Sequence, residues 1–420
     1  MSFPDLGIAP ELVLALGGMR IVEPSPVQRM AIPALVGGAS IVAVARTGSG
    51  KTLAYALPLL QRIHAVEAVE GVVTAPGRPR GLVLTGTREL VEQTLRVCKT
   101  IGHRPPVRVR AVAGGMLERH QRLALTSPVD ILIANPPRLA SLLREGRVLL
   151  DDLRMVIVDE ADTLLAPGQR GDVVQILDRI PSGVPVSWFS ATLPEAIRSW
   201  LQARPERPSL LLSKDAHSAP ESVKVRNIKV KWDERADAAH TVLVGLPDSA
   251  RGIVFCNRRE TADAAGAALR ERGEDVRIVH GGLLPRERQA ALKAFSGGEG
   301  RILVTTELAG RGVHIEGLAF VLNWELPERA SDYMHRVGRV GRMGVKGEVF
   351  NLVAHHDMPL LQEAERLARG GKLDTGESPR AQRDRKAQAA NKAAKRDQRA
   401  RPAFATKAKA PPKGPRKPKR

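Results

Sequence analysis

Between residues 41 and 57 the chain passes from an apolar run, Ile41-Val42-Ala43-Val44, through Thr47-Gly48-Ser49-Gly50-Lys51-Thr52 into Leu53-Ala54-Tyr55-Ala56-Leu57. Four apolar residues closed by a glycine turn fit a strand buried on both faces, and such strands belong to parallel sheets covered by helices. The rhythm recurs at Leu82-Val83-Leu84, Ile131-Leu132-Ile133, Leu153 to Val158, Val186-Ser187-Trp188-Phe189 and Leu210-Leu211-Leu212. It predicts an α/β domain over residues 1–214. Residues 215–222 read as a polar linker. The alternation restarts at Gly252-Ile253-Val254-Phe255 and continues through Val276 to Val279, Arg301 to Val304, Ala319 to Leu322 and Val349 to Leu352, with an Ala-rich helix from Thr261 to Glu271. A second α/β domain over 223–369 follows. Beyond residue 370 apolar periodicity disappears, and that composition buries too little surface to offset the entropy of ordering. A disordered basic tail over 370–420 is expected.

Strand, glycine turn and helix are the context a phosphate-binding loop requires. Glycine leaves room for backbone N–H groups to close on phosphate oxygens, and the helix N-terminus adds positive potential there. Lys51 is expected to reach the β- and γ-phosphates and the Thr52 hydroxyl to ligate Mg²⁺. Asp159 and Glu160 close the apolar run that ends at Val158. Ligands of open α/β sheets sit beyond the carboxyl ends of strands. Asp159 is therefore expected to hold Mg²⁺ through water and Glu160 to orient or deprotonate an attacking water. Asp162 stands two residues further on, placed to link this loop to a partner. An isolated acidic pair is usually a solvated turn; a buried strand before it, in a chain with the cradle, favours hydrolysis of a nucleoside triphosphate.

The formal net charge is +20, which points to a polyanionic partner. Residues 380–420 hold 16 Lys/Arg against 2 Asp/Glu, so most of that charge is local to the tail. Phe404 is the tail's one aromatic residue, so base stacking, and sequence specificity with it, is not expected there. A solubilising extension is the plainer reading; charge of this size favours a tether for a polyanionic partner. Cys98 and Cys256 fall in different predicted domains and are expected to be buried thiols. No apolar run is long enough to cross a bilayer, and Met1 to Asp5 begin neither a signal nor a transit peptide, so a cytoplasmic location is expected.

His335-Arg336-Val337-Gly338-Arg339-Val340-Gly341-Arg342 sets three arginines around two glycines. Arg339 and Arg342 are candidates for stabilising charge on a transferring phosphoryl group. A basic loop that merely binds polyanions is about as common; a second domain with no cradle of its own favours completion of the first domain's site.

With these residues in view, the chain resembles the DEAD-box ATP-dependent RNA helicases over roughly residues 2–355. Pro24-Ser25-Pro26-Val27-Gln28 is similar to the family's Q motif, which implies that Gln28 reads adenine, and Phe3 resembles the upstream aromatic that stacks on the base. The resemblance implies ATP contacts from Arg46, Thr47, Gly48, Ser49, Gly50, Lys51 and Thr52, and from His314, whose imidazole can hydrogen-bond a ribose hydroxyl. It implies RNA-backbone contacts from Thr87, Arg88, Gly115, Asn135 and Arg138 in the first domain and from Arg288, Thr306 and Arg311 in the second. Coupling of hydrolysis to strand separation falls to Asp162, Ser190, Thr192 and His335. The implied fold is two tandem RecA-like parallel-sheet domains. The implied activity is RNA-stimulated ATP hydrolysis with non-sequence-specific RNA binding, unwinding of short duplexes or remodelling of ribonucleoproteins, and ribosomal or ribonucleoprotein partners.

The sequence departs from the family at Gly86 (usually Pro), Asn135-Pro136-Pro137-Arg138 (usually Thr-Pro-Gly-Arg), Pro285 (Gln), Glu307 (Asp), His314 (an Asp that contacts the ribose) and Val340 (Thr). Retained hydrolysis with altered coupling is expected. A second reading is an RNA clamp or annealer with weak ATPase, and a third is a DNA translocase, which Asp159-Glu160-Ala161-Asp162 and Gln28 argue against.

Overall fold

Thirteen strands form two sheets in the structure, a computed structural model that describes residues 1–71, 75–103, 107–116, 118–166, 170–213, 223–306, 317–341 and 346–368. The first sheet comprises β1 (Ile41–Val44), β2 (Gly81–Leu84), β3 (Val109–Val112), β4 (Ile131–Ala134), β5 (Met155–Val158), β6 (Val186–Ser190) and β7 (Ser209–Leu212), in the order β3-β4-β2-β5-β6-β1-β7. The second comprises β8 (Val223–Lys229), β9 (Gly252–Cys256), β10 (Val276–Val279), β11 (Ile302–Thr306), β12 (Phe320–Asn323) and β13 (Gly347–Val353), in the order β10-β11-β9-β12-β13-β8. Every pairing in both is parallel.

The apolar runs work as two-sided strands. In β1, Ile41 and Ala43 join one core while Val42 and Val44 join the other; in β5, Met155 and Ile157 divide from Val156 and Val158 in the same way. Side chains of a strand alternate between faces, so an uninterrupted apolar run is what two helix layers demand. The second sheet repeats the scheme, with Ile253 and Phe255 on one side of β9 and Val254 and Cys256 on the other. Each fully buried Val, Leu or Ile contributes about 1.5–3 kcal/mol.

Two strands escape the sequence reading. Both β3 and β8 lie at sheet edges. Val109-Arg110-Ala111-Val112 breaks its apolar run with arginine, and β8, Val-Lys-Val-Arg-Asn-Ile-Lys, is largely exposed. Exposed, charged side chains on an edge strand such as β8 discourage pairing with other chains, whereas β3 still packs Val109 and Ala111 into one core and Val112 into the other. The Ala-rich helix spans Arg259–Glu271, and the last described helix is Met358–Ala368. The predicted linker and tail lie outside the described residues. Cys98 and Cys256 are free and buried, and burial pushes the Cys98 thiol up to about 12. Among the described residues no helix is long and apolar enough to cross a membrane.

Both sheets belong to one compact unit, Met1–Thr375. Because all strands of a sheet run the same way, every β-to-helix loop of the first sheet opens on one edge. That edge collects Lys51 after β1, Thr87 after β2, Gly115 after β3, Asn135 after β4, Asp159 after β5 and Ser190 at the end of β6.

Candidate nucleotide site and RNA-facing loops

The cradle turns on two glycines. Gly48 has φ 78° and Gly50 has φ 92°, in the left-handed region where a side chain is strained. Space is closed as well: a Cβ on Gly50 would lie 2.5 Å from Gln28 Nε2. Gln28 is 3% exposed and braces the turn, donating from Nε2 to Gly50 O (3.1 Å) while its Oε1 accepts the Ser25 N–H (2.9 Å). Lys51 opens the Lys51–Glu70 helix, and its Nζ donates to Ala45 O (2.6 Å) and Arg46 O (3.1 Å). Its ammonium thus lies against the loop that would surround a phosphate. The Ser49 hydroxyl is buried with no partner among the described residues. Glycine freedom, a helix N-terminus, a folded-in lysine and an unpaired hydroxyl together fit a triphosphate.

Phe3 requires a correction. The resemblance assigns it to base stacking, but its ring is 2% exposed and sits in the apolar core with Leu6, Ile8 and Leu12. It offers no free face to a base here. Burial of a large aromatic outweighs exposure, and the ring anchors the N-terminal segment to the first sheet's helices.

Asp159 follows β5 and is 6% exposed. Its Oδ1 accepts the Glu160 N–H (2.9 Å) and its Oδ2 accepts the Tyr55 hydroxyl (2.9 Å). Glu160 adopts φ 53°, ψ 47°, an uncommon conformation for a residue with a side chain, and its Oε2 is buried with no partner among the described residues. Burial pushes both carboxyls above their ordinary range; Lys51 opposes this at Asp159, and His335 and Arg339 oppose it at Glu160. An orphaned buried carboxylate oxygen is costly unless it has work to do. No group of three or more His, Cys, Asp or Glu able to hold a metal occurs among the described residues. A hydroxyl at Thr52 and a carboxylate at Asp159 nonetheless form the hard-oxygen pair that Mg²⁺ accepts when phosphates and water supply the rest.

Asp162 joins the lobes. Its Oδ2 accepts the Thr192 hydroxyl (2.7 Å) and N–H (3.0 Å), and its own N–H donates to Ser190 Oγ (3.1 Å). His335 Nε2, from the second sheet's Ala330–Val337 helix, lies 3.6 Å from Asp162 Oδ2. Burial alone would raise the Asp162 carboxyl, but His335 and Thr192 hold it well below the usual range. One turn on, a Cβ at Gly338 would lie 3.1 Å from Thr47 Cβ, so glycine is what lets this helix end approach the cradle. Arg339 is 7% exposed and acts electrostatically on Glu160.

Three loops that the resemblance assigns to RNA are laced together. Thr87 caps the Arg88–Ile101 helix, accepting the Leu90 N–H (3.2 Å). Arg88 donates to Gly115 O (2.5 Å), Asn135 Oδ1 accepts the Gly114 N–H (3.2 Å), and Arg138 donates to Gln121 Oε1 (2.8 Å). Thr306 ends β11 at 8% exposure. Arg288 is paired across the lobes with Glu89 (3.0 Å). Arg311, His314 and Arg342 lie outside the described residues, as does Glu307.

Sequence reasoning missed Tyr55, Glu89 and Arg336. Arg336 is 1% exposed, bonded to Asn323 Oδ1 (3.1 Å), Glu325 O (2.7 Å) and Asn257 Oδ1 (2.9 Å), and lies over the Phe255 ring. It fixes the arginine helix to the second sheet. A lone tyrosine within Leu53-Ala54-Tyr55-Ala56-Leu57 was the signal for the first, and the arginine run from His335 to Arg342 for the third; nothing local marks Glu89.

Residues 25–200 match the family described as DEAD/DEAH box helicase, and residues 238–344 match the helicase conserved C-terminal domain. The chain is 30% identical to the ATP-dependent RNA helicase eIF4A of Schizosaccharomyces pombe, over 87% of this chain and 91% of that protein. It is 31% identical to the DEAD-box ATP-dependent RNA helicase CshB of Listeria monocytogenes, over 87% and 82%. The structure of S. cerevisiae Dbp5 bound to RNA and ADP BeF3 superimposes with a TM-score of 0.78 at 26% identity, covering 87% of this chain and 93% of that one.

Proposed function

The chain belongs to the DEAD-box family of ATP-dependent RNA helicases, and from that premise we propose how its own residues divide the work. RNA is its partner, and it hydrolyses ATP in an RNA-stimulated cycle. Gly48, Gly50 and Lys51 bind the β- and γ-phosphates, with Arg46, Thr47 and Ser49 completing the cradle. Gln28 gives up its bond to Gly50 O when it turns to adenine. Thr52 and Asp159 would hold Mg²⁺, which would supply neutralisation of phosphate charge. Glu160 takes the proton of the attacking water. Arg339, with Arg342 three residues on, meets the charge that develops on the transferring phosphoryl group.

The observation that carries this reading is the Glu160 Oε2, buried without a partner among the described residues and under the electrostatic influence of His335 and Arg339 from the other sheet. Hydrolysis then reports on closure of the lobes. Asp162, Ser190, Thr192 and His335 relay it as one hydrogen-bonded and charged set. RNA lies along Thr87, Arg88, Gly115, Asn135 and Arg138 and is gripped from the second lobe by Arg288, Thr306 and Arg311. Backbone contacts of this type favour RNA without reading sequence. Release of one strand from a short duplex, or rearrangement of a ribonucleoprotein, is the output. A cytoplasmic location and ribosomal partners are part of the proposal.

RNA-stimulated ATPase tests it. Lys51→Ala and Glu160→Gln are each expected to lower turnover by about 10²-fold or more. Wild-type turnover no higher than that of Lys51→Ala would refute the assignment and leave an RNA clamp.

A further inference from the structure

The Lys51–Glu70 helix begins at the cradle lysine and, one turn later, buries Tyr55 completely. The Tyr55 ring stands edge-on to Phe189, centroids 5.1 Å apart, which fixes the hydroxyl's direction. That hydroxyl lies 2.9 Å from Asp159 Oδ2 and 3.4 Å from Thr94 Oγ1. The other oxygen of Asp159 is held by the Glu160 N–H. Two donors from different elements therefore clamp one carboxylate, and its plane has no free rotation. A phenylalanine would fill the same apolar space, since ring packing needs no oxygen. The hydroxyl is buried at the cost of desolvation and returns that cost as a bond to a charged acceptor.

We propose that Tyr55 is a positioning residue of the ATPase site, whose hydroxyl ties the cradle helix to β5 and fixes the Asp159 carboxylate for a nucleotide-bound Mg²⁺. This rests on the reading of Asp159 as the carboxylate that faces the metal. The bond sets the spacing between the phosphate half of the site, on the Lys51–Glu70 helix, and the carboxylate half, after β5. Each Asp159 oxygen keeps one lone pair for a metal-bound water.

The test is Tyr55→Phe in the full-length chain, which keeps the ring and removes one oxygen. Affinity for a fluorescent ADP is measured in EDTA and in excess Mg²⁺, beside the Mg²⁺ concentration that half-saturates RNA-stimulated ATP hydrolysis. Wild type is expected to bind ADP more tightly with Mg²⁺. In Tyr55→Phe that enhancement should fall by about tenfold, with the EDTA affinity unchanged, and half-saturating Mg²⁺ should rise to match. Thr94→Val keeps the Asp159 bond and is expected to follow wild type. Equal Mg²⁺ enhancement in wild type and Tyr55→Phe overturns the positioning role, and so does a parallel loss of affinity with and without Mg²⁺. A wild-type chain indifferent to Mg²⁺ would sink the metal reading itself, a different failure.

Discussion

At the scale of single residues, burial decides what a charge is for. Asp162 and Glu160 lie two residues apart, yet their surroundings differ: Asp162 is satisfied by Thr192 and His335, while Glu160 Oε2 has no partner among the described residues. The satisfied one is structural glue. Its carboxyl is held below the ordinary range when folded, so its stabilisation is present above the unfolded value near 3.8 and is lost as pH falls toward the folded one. Asp162→Asn is therefore expected to cost about 1–3 kcal/mol at neutral pH, and the gap from wild type in thermal unfolding should narrow below about pH 4. A gap independent of pH would remove the ionised carboxylate from the account. At Gly50 the decision is steric: with φ 92° and Gln28 against it, Gly50→Ala should abolish nucleotide binding while the sheet stays folded, read as lost ADP affinity with unchanged circular dichroism.

Elements show why several departures from the family are tolerated. Pro136 and Pro137 occupy the first turn of the Pro136–Arg144 helix, where N–H groups lack helical partners and proline removes little. Pro285 likewise opens the Pro285–Ser296 helix. Val340 is 1% exposed and packs in the second lobe's core, so a hydroxyl there is dispensable to packing. More consequential is a ladder of asparagines in register across β12, β13 and β8. Asn323 Nδ2 donates to Asn351 Oδ1 (2.8 Å), and Asn351 Nδ2 donates to Asn227 Oδ1 (2.7 Å) and to the Tyr333 hydroxyl (2.9 Å). Arg336 joins the same set through Asn323. Buried polar networks are expensive when broken. Asn351→Leu is expected to cost about 2–3 kcal/mol in urea unfolding and to weaken RNA-stimulated turnover, because the helix bearing His335 rests on this ladder. Wild-type stability in that variant would show the ladder to be incidental.

For the molecule as a whole, two lobes must meet before either half of the chemistry is complete. The Glu89–Arg288 pair crosses between them with both side chains partly exposed, so by itself it is worth about 1 kcal/mol or less. Arg288→Glu should depress RNA-stimulated ATPase, and adding Glu89→Arg should recover part of it; no recovery would mean that Arg288 acts only on RNA. The basic tail acts at this scale too. Truncation after residue 370 should weaken RNA binding and flatten its dependence on salt while leaving basal ATPase intact, since fewer phosphate charges are then neutralised. An unchanged salt slope would defeat the tether.

What the sequence determined by itself was the local chemistry: buried parallel strands from unbroken apolar runs, a phosphate turn from glycine spacing, and paired carboxylates at a strand's end. Those features live within a few residues, where period and backbone freedom suffice. Edge strands β3 and β8 were less legible, because Arg110 interrupts the short buried run of β3 and solvent exposure dilutes the apolar pattern of β8. Only tertiary structure could place Phe3 in the core, set Tyr55 against Asp159, bury Glu160 Oε2 without a partner among the described residues and bring His335 to Asp162. These are contacts between segments far apart in sequence, fixed by how two sheets pack their helices, and no local pattern encodes which side chain will lose its water.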